Sequence, residues 1–189
     1  MELLYNQKKI PAEQWRYGLR SSAATGCGWI ATYNALVLMG YKPDPEKLIS
    51  WYEHQLPVIH GNAGTSFWGP AAYFHKSGFP VEVTARQDEF DAVVDRSDVC
   101  ILFYWWRRKW KLGAHFVALH KTGDTVTGYN TYSNSTGPDS YGTSLQSFLK
   151  DRKYFGTFLL GIRNKKHAVK CVVHLRTVSE RYEHCGQEN

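Results

Sequence analysis

Apolar and polar positions change rhythm partway along the chain. From Cys27 onward, "CGWIATYNALVLMG" carries Ile30, Ala31, Leu36 and Leu38 at helical spacing, and Gly40 supplies a stop. The pattern predicts an amphipathic helix that opens at Cys27. A second helix is predicted over "DPEKLISWYEH", with Asp44 as its cap and Pro45 at its first position. "GTSFWGPAAYFHKSG" reads as a third, closed by Gly78. The period then shortens to that of strands: "PVEVTA", "DVCILFYWW", "AHFVALHK", "TVTGYN" and "FGTFLLGIR", with Gly, Asp and Asn at the breaks. "DEFDAVVD" and "TSLQSFLKD" read as short helices. A helical front half followed by an antiparallel back half makes an α+β arrangement, in two lobes of one domain.

Composition adds bounds. The chain has 189 residues, 43% hydrophobic and 15% aromatic, which suits one domain with a full core. A net charge of +6 points only faintly to acidic partners. No stretch approaches the ~20 apolar residues of a membrane span. The N-terminus, "MELLYNQKKIPAEQW", lacks a basic start followed by an apolar block. The expectation is a cytoplasmic protein with no membrane partner. Cys27, Cys100, Cys171 and Cys185 make no dense disulfide framework, so reduced thiols are expected.

Cys27 stands apart because Gly26 and Gly28 flank it at the mouth of a predicted helix. Unpaired N–H groups there favour thiolate over thiol, and the thiolate is the nucleophile. The two glycines would allow a sharp turn and close approach of a substrate carbonyl, with the Cys27 N–H aimed at a developing oxyanion. The plainer alternative is a small buried residue at a helix start.

A nucleophile needs a base. "GAHFVALH" offers His115 at the start of a strand, in register with Val117 and Leu119, while Phe116, Ala118 and His120 face the other way. A strand-end histidine half in water is the bland alternative for His115, and the preferred one for His120. After the turn "KTGD", the strand "TVTGYN" runs back and ends at Asn130, beside His115, where its amide oxygen can accept from one ring nitrogen. Asn134 is a second candidate for that role, and a plain turn residue is the alternative for Asn130.

Cysteine, histidine and asparagine in that order, on a helix, a strand and the next strand, resemble the papain-like cysteine peptidases. The closer resemblance is to the bacterial double-glycine leader (bacteriocin-processing) peptidases and their stand-alone relatives. It is carried by "GCGWIATYNALVLMG", "GTSFWGPAAYFHKSGFPVEV" and "AHFVALHKTGDTVTGYN", within residues 20–163. It implies a papain-like fold: an N-terminal helical lobe with the nucleophile helix, and a C-terminal antiparallel sheet carrying the histidine. The domain would cover residues 1–163, leaving 164–189 as an extension.

The resemblance makes Cys27 the nucleophile and His115 the general base. Asn130 falls where these relatives commonly carry Asp and papain carries Asn. The family's oxyanion glutamine, about six residues before the cysteine, is replaced here by Ser21, so Ser21, Ser22 or Gln14 are the candidate donors. The implied activity is hydrolysis of a peptide or amide bond in a peptide or protein, through a thioester acyl-enzyme, with no cofactor and no metal. An acyltransferase or transglutaminase-like enzyme on the same residues, and an inactive binding module, are the alternatives.

"YWWRRKWK" (residues 104–111) precedes the histidine strand and reads as a loop at the cleft rim. Trp106 would then form a substrate wall, with cations suited to acidic peptides or termini. A nucleic-acid patch is the remote alternative, and a basic turn beside buried Trp105 and Trp106 the plain one. The tail, "HAVKCVVHLRTVSERYEHCGQEN", reads as one added strand with a loose end. Its Cys171, His174, His184 and Cys185 are zinc-type ligands at a spacing that fits zinc poorly. The sequence sets no oligomeric state.

Overall fold

A computed structural model describes residues 2–54, 64–108, 110–152 and 154–166. The tail strand and the zinc-type ligands of the tail lie outside the described residues.

The chain opens with a small hairpin, β1 (Arg16–Tyr17) and β2 (Arg20–Ser21). One helical turn, α1 (Ser22–Thr25), leads through Gly26 into α2 (Cys27–Leu38). Then come α3 (Pro45–His54), α4 (Gly69–Lys76), β3 (Val81–Thr84) and α5 (Phe90–Asp95). The rest is β4 (Val99–Arg108), β5 (Lys111–Thr122), β6 (Thr125–Tyr129), β7 (Asp139–Gly142), α6 (Leu145–Lys150) and β8 (Tyr154–Ile162). Strands β3 to β8 form one antiparallel sheet in the order β3-β8-β4-β5-β6-β7. The fold is α+β, with helices first and the antiparallel sheet after them.

Strand alternation gives the sheet two apolar faces, and each is covered. Ile101, Phe103, Phe116 and Leu160 pack against α2, α3 and α4. Leu102, Val117, Leu119 and Leu159 pack against Phe90 and Val93 of α5 and Leu145 and Leu149 of α6. Burying a side chain such as Ile101, Phe116 or Leu119 contributes about 1.5–3 kcal/mol.

Helix α2 is the centre of the first layer. Every residue from Gly28 to Leu36 is buried, so the helix is covered all round rather than amphipathic. Its buried polar groups are satisfied. The Thr32 hydroxyl reaches the Gly28 carbonyl at 3.1 Å and the Tyr52 hydroxyl at 2.5 Å. Asn34 pairs with the backbone of Leu4, accepting from its N–H and donating to its carbonyl, both at 2.9 Å. Helix α3 starts as expected: the Asp44 carboxylate accepts from the Glu46 N–H at 2.9 Å, and Pro45 holds the first position.

Two segments depart from expectation. The Trp-rich stretch is a hairpin extension of β4 and β5 rather than a loop, pairing Trp105 with Ala114 and Trp106 with Gly113. Trp105 is 38% exposed, so it is no buried anchor. Strand β7 lies in "NTYSNSTGPDSYG", a stretch rich in turn-forming residues that the periodicity does not mark as a strand. Among the described residues, no helix is long and apolar enough to cross a membrane.

Candidate active site

Cys27 opens α2, as its place in the sequence predicts. Gly26 caps α1 and opens α2: its N–H reaches the Ser22 carbonyl at 2.9 Å and its carbonyl accepts from Ile30 at 3.0 Å. The N–H groups of Cys27 and Gly28 face the half-buried Cys27 thiol. A third N–H, that of Phe116, also faces the sulfur. Strand β6 leaves β5 after the pair Ala118–Tyr129, and the Phe116 N–H lies beyond that point. The thiol thus meets β5 at the peptide joining His115 to Phe116.

The flanking glycines serve packing rather than a left-handed turn. Gly26 has φ −80°, a conformation open to any residue. A Cβ there would lie 2.6 Å from the Ser22 carbonyl oxygen and 2.6 Å from Trp29 Nε1. A Cβ on Gly28 would lie 2.4 Å from Thr65 Oγ1.

His115 sits opposite Tyr104 on β4, and the two rings meet edge to face at 5.9 Å. Its Nε2 lies 2.6 Å from the backbone carbonyl of Asn130. A carbonyl only accepts, so Nε2 carries the proton, and the neutral ring keeps Nδ1 bare. The sequence suggests the Asn130 amide for this role, but the carbonyl fills it. Asn130 has φ 64°, a left-handed conformation that Asn tolerates well, and this turn ends β6. Its buried amide is engaged by Gln7: Oδ1 accepts from the Gln7 N–H at 2.8 Å, and Nδ2 donates to Gln7 Oε1 at 3.0 Å.

Gln7 escapes a reading confined to the few residues before Cys27. It is buried, and its own amide nitrogen donates to the Ala23 carbonyl at 3.3 Å. It therefore ties the α1 turn to the residue that holds His115. Asn6 works beside it, donating to the carbonyls of Ser133 at 2.9 Å and Ser135 at 3.3 Å. The local signal is slight: a polar pair, "NQ", ahead of two lysines.

Burial dominates the electrostatics. It pushes the Cys27 thiol up, against the opposing pull of the Phe116, Gly28 and Cys27 N–H groups and the Lys8 ammonium. It pushes the His115 imidazolium down; the Asn130 carbonyl opposes this, and Lys8 adds to it. Burial thus favours the neutral form of each group, against the ion pair that a helix mouth alone suggests.

The other sequence candidates fall as follows. Cys27 packs against the α2-side core, whereas His115 shares its strand face with Val117 and Leu119, so the two reach the start of β5 from its two faces. Trp106, Asn134, Ala24 and His115 line one cleft. Gln14 is exposed in a different groove, with Leu3, Pro11 and Trp15. Ser21 precedes α1, where its carbonyl accepts from the Thr25 hydroxyl at 3.5 Å. Ser22 is buried, donating to the Trp15 carbonyl and accepting from Trp29 Nε1 at 3.1 Å. Among the described residues no group of three or more His, Cys, Asp or Glu could hold a metal ion.

No family model matches the chain, and no curated protein matches it. Among solved structures, the chain is similar to the peptidase domain of Streptococcus ComA, a bi-functional ABC transporter involved in a quorum sensing pathway. The match has 14% identity and a TM-score of 0.47, covering 71% of this chain and 90% of that one. This is a distant structural likeness to a peptidase domain.

Proposed function

We propose that this protein is a thiol-dependent hydrolase of a peptide or amide bond, with Cys27 as nucleophile and His115 as general base. The observation that carries the reading is the surroundings of the thiol. Three backbone N–H groups face it, and one of them belongs to the peptide that follows a histidine whose Nδ1 is bare.

The chemistry starts from the neutral pair. Nδ1 of His115 takes the thiol proton as the sulfur attacks the substrate carbonyl; the C–S bond forms and the carbonyl electron pair moves onto oxygen. That oxyanion would be met by the N–H of Cys27, and one such donor is worth about 10²–10³ in rate. The intermediate collapses, the C–N bond breaks, and the imidazolium gives its proton to the departing amine. Water, deprotonated by His115, then attacks the thioester. The acid product leaves, and the sulfur recovers its proton.

Two measurements test this. Cys27→Ala should abolish hydrolysis of a peptide pool while keeping the fold by circular dichroism. In the native protein, 1,3-dibromoacetone should alkylate Cys27 and bridge it to His115, as read by peptide mapping. Alkylated Cys27 without a bridge, together with full activity in Cys27→Ala, would end the proposal.

A further inference from the structure

A cleft of about 730 Å³ opens on the His115 side of the site, and Cys27 is not among its walls. Its volume falls within the range of small-ligand sites. Lys8, Arg107 and Arg152 line it, and among the described residues no Asp or Glu does. Among the described residues, none of these three cations takes part in an ion pair. Arg152 rests on aromatic rings instead, 4.6 Å from the Phe148 centroid and 5.8 Å from that of Tyr132. Its guanidinium is held over these rings without a carboxylate partner. Tyr104 and Tyr154 stack at 4.2 Å in one wall. Trp106 forms another, lying over Gly113, where a Cβ would come within 2.3 Å of the indole.

We propose that this cleft selects substrates whose leaving, amine-side portion carries a carboxylate, gripped by Arg152 with Lys8 and Arg107. The inference rests on the hydrolase reading, because it uses the role of His115. The group that protonates the departing amine must stand on that amine's side of the scissile bond. A cleft walled by His115 and not by Cys27 is therefore where the leaving half lies. Three cations without carboxylate partners and several aromatic faces suit an anion attached to an aromatic or flat group. The carboxylate belongs either to the end of a peptide chain or to an acidic side chain, and the chemistry is the same.

The test separates these sources and also separates this inference from the hydrolase reading. Internally quenched peptide pools are built in four matched forms, with Glu or Gln on the amine side and a C-terminal carboxylate or carboxamide. In parallel, binding of Phe-Glu and Phe-Gln, as acids and as amides, to the Cys27→Ala protein is followed by calorimetry. The expected result is cleavage about tenfold or more faster for the anionic pools, with the preference erased in Arg152→Gln and partly restored in Arg152→Lys. Arg107→Gln, at an exposed site, serves if Arg152→Gln fails to fold. Equal cleavage of all four pools overturns the inference and leaves the hydrolase standing. Absent cleavage with Arg152-dependent binding of the anionic dipeptides supports the anion cleft and removes the hydrolase. Absence of both, or displacement of the dipeptides by short single-stranded DNA that binds more tightly, overturns the inference.

Discussion

His115 is oriented by a backbone oxygen: its Nε2 lies 2.6 Å from the Asn130 carbonyl, while the Asn130 side chain points away onto Gln7. What positions the ring is therefore the left-handed turn at residue 130 and the clamp that keeps it. The amide acts at one remove.

Substitutions at this pair should separate the two contributions. Asn130→Gly keeps the carbonyl and the φ of 64°, so it should retain part of the hydrolytic rate; Asn130→Val, strained at that φ, should lose far more. Gln7→Ala leaves the Asn130 amide without its acceptor and should cost about 1–3 kcal/mol in denaturant melts. It should lower kcat with little change in KM. An Asn130→Gly protein as inactive as Asn130→Val would mean that the amide itself does the orienting.

The thiol should titrate late. Because burial raises its pKa, native alkylation of Cys27 by iodoacetamide should accelerate as pH climbs past the ordinary thiol value of about 8.5. Lys8 pulls the thiol down, so Lys8→Ala should move the midpoint higher. Cys100, in the second core with its thiol pushed up to about 12 by burial, should stay unlabelled. Labelling already at its plateau in mild acid would reveal a preformed thiolate–imidazolium pair.

The acid limb of stability should carry the mark of His115. Its folded pKa is depressed by burial, so below the unfolded value of about 6.5 the unfolded chain binds more protons than the folded one. The stability it contributes is complete above that pH and is lost as pH falls through the folded value. Urea midpoints should therefore drop between neutral and mildly acidic pH, and drop less in His115→Gln. Parallel curves for the two proteins would contradict the burial argument.

Gly28 should resist enlargement. An added methyl meets Thr65 at 2.4–2.7 Å, so Gly28→Ala should cost about 1–3 kcal/mol by overpacking. Thr65→Gly in the same chain should recover much of that loss in thermal melts. Additive losses would place the strain elsewhere.

Local rules carried much of the fold. The Asp44–Pro45 start of α3, the strands from "PVEVTA" to "FGTFLLGIR" and the short α5 and α6 follow from period and capping alone. Strand β7 was illegible because "DSYG" has turn composition, and only the backbone of β6 makes it a strand. The Trp-rich hairpin misleads for a related reason. Tyr104 is buried, Trp105 is partly exposed and the basic residues follow, so the strand outruns the core and looks like a loop. At the site, the cysteine and histidine announce themselves by position. Gln7 does not, because its role depends on a residue 123 places away.

That separation has a temporal side. Leu4, Asn6 and Gln7 leave the ribosome well before residues 130, 133 and 135, the partners that Asn6 and Gln7 join. The leading segment can settle on Asn34 early through Leu4, and then holds a vacant half-interface until the late strands arrive. The Asn130 carbonyl that orients the His115 ring is clamped only then, so the imidazole waits on contacts between two widely separated stretches of chain.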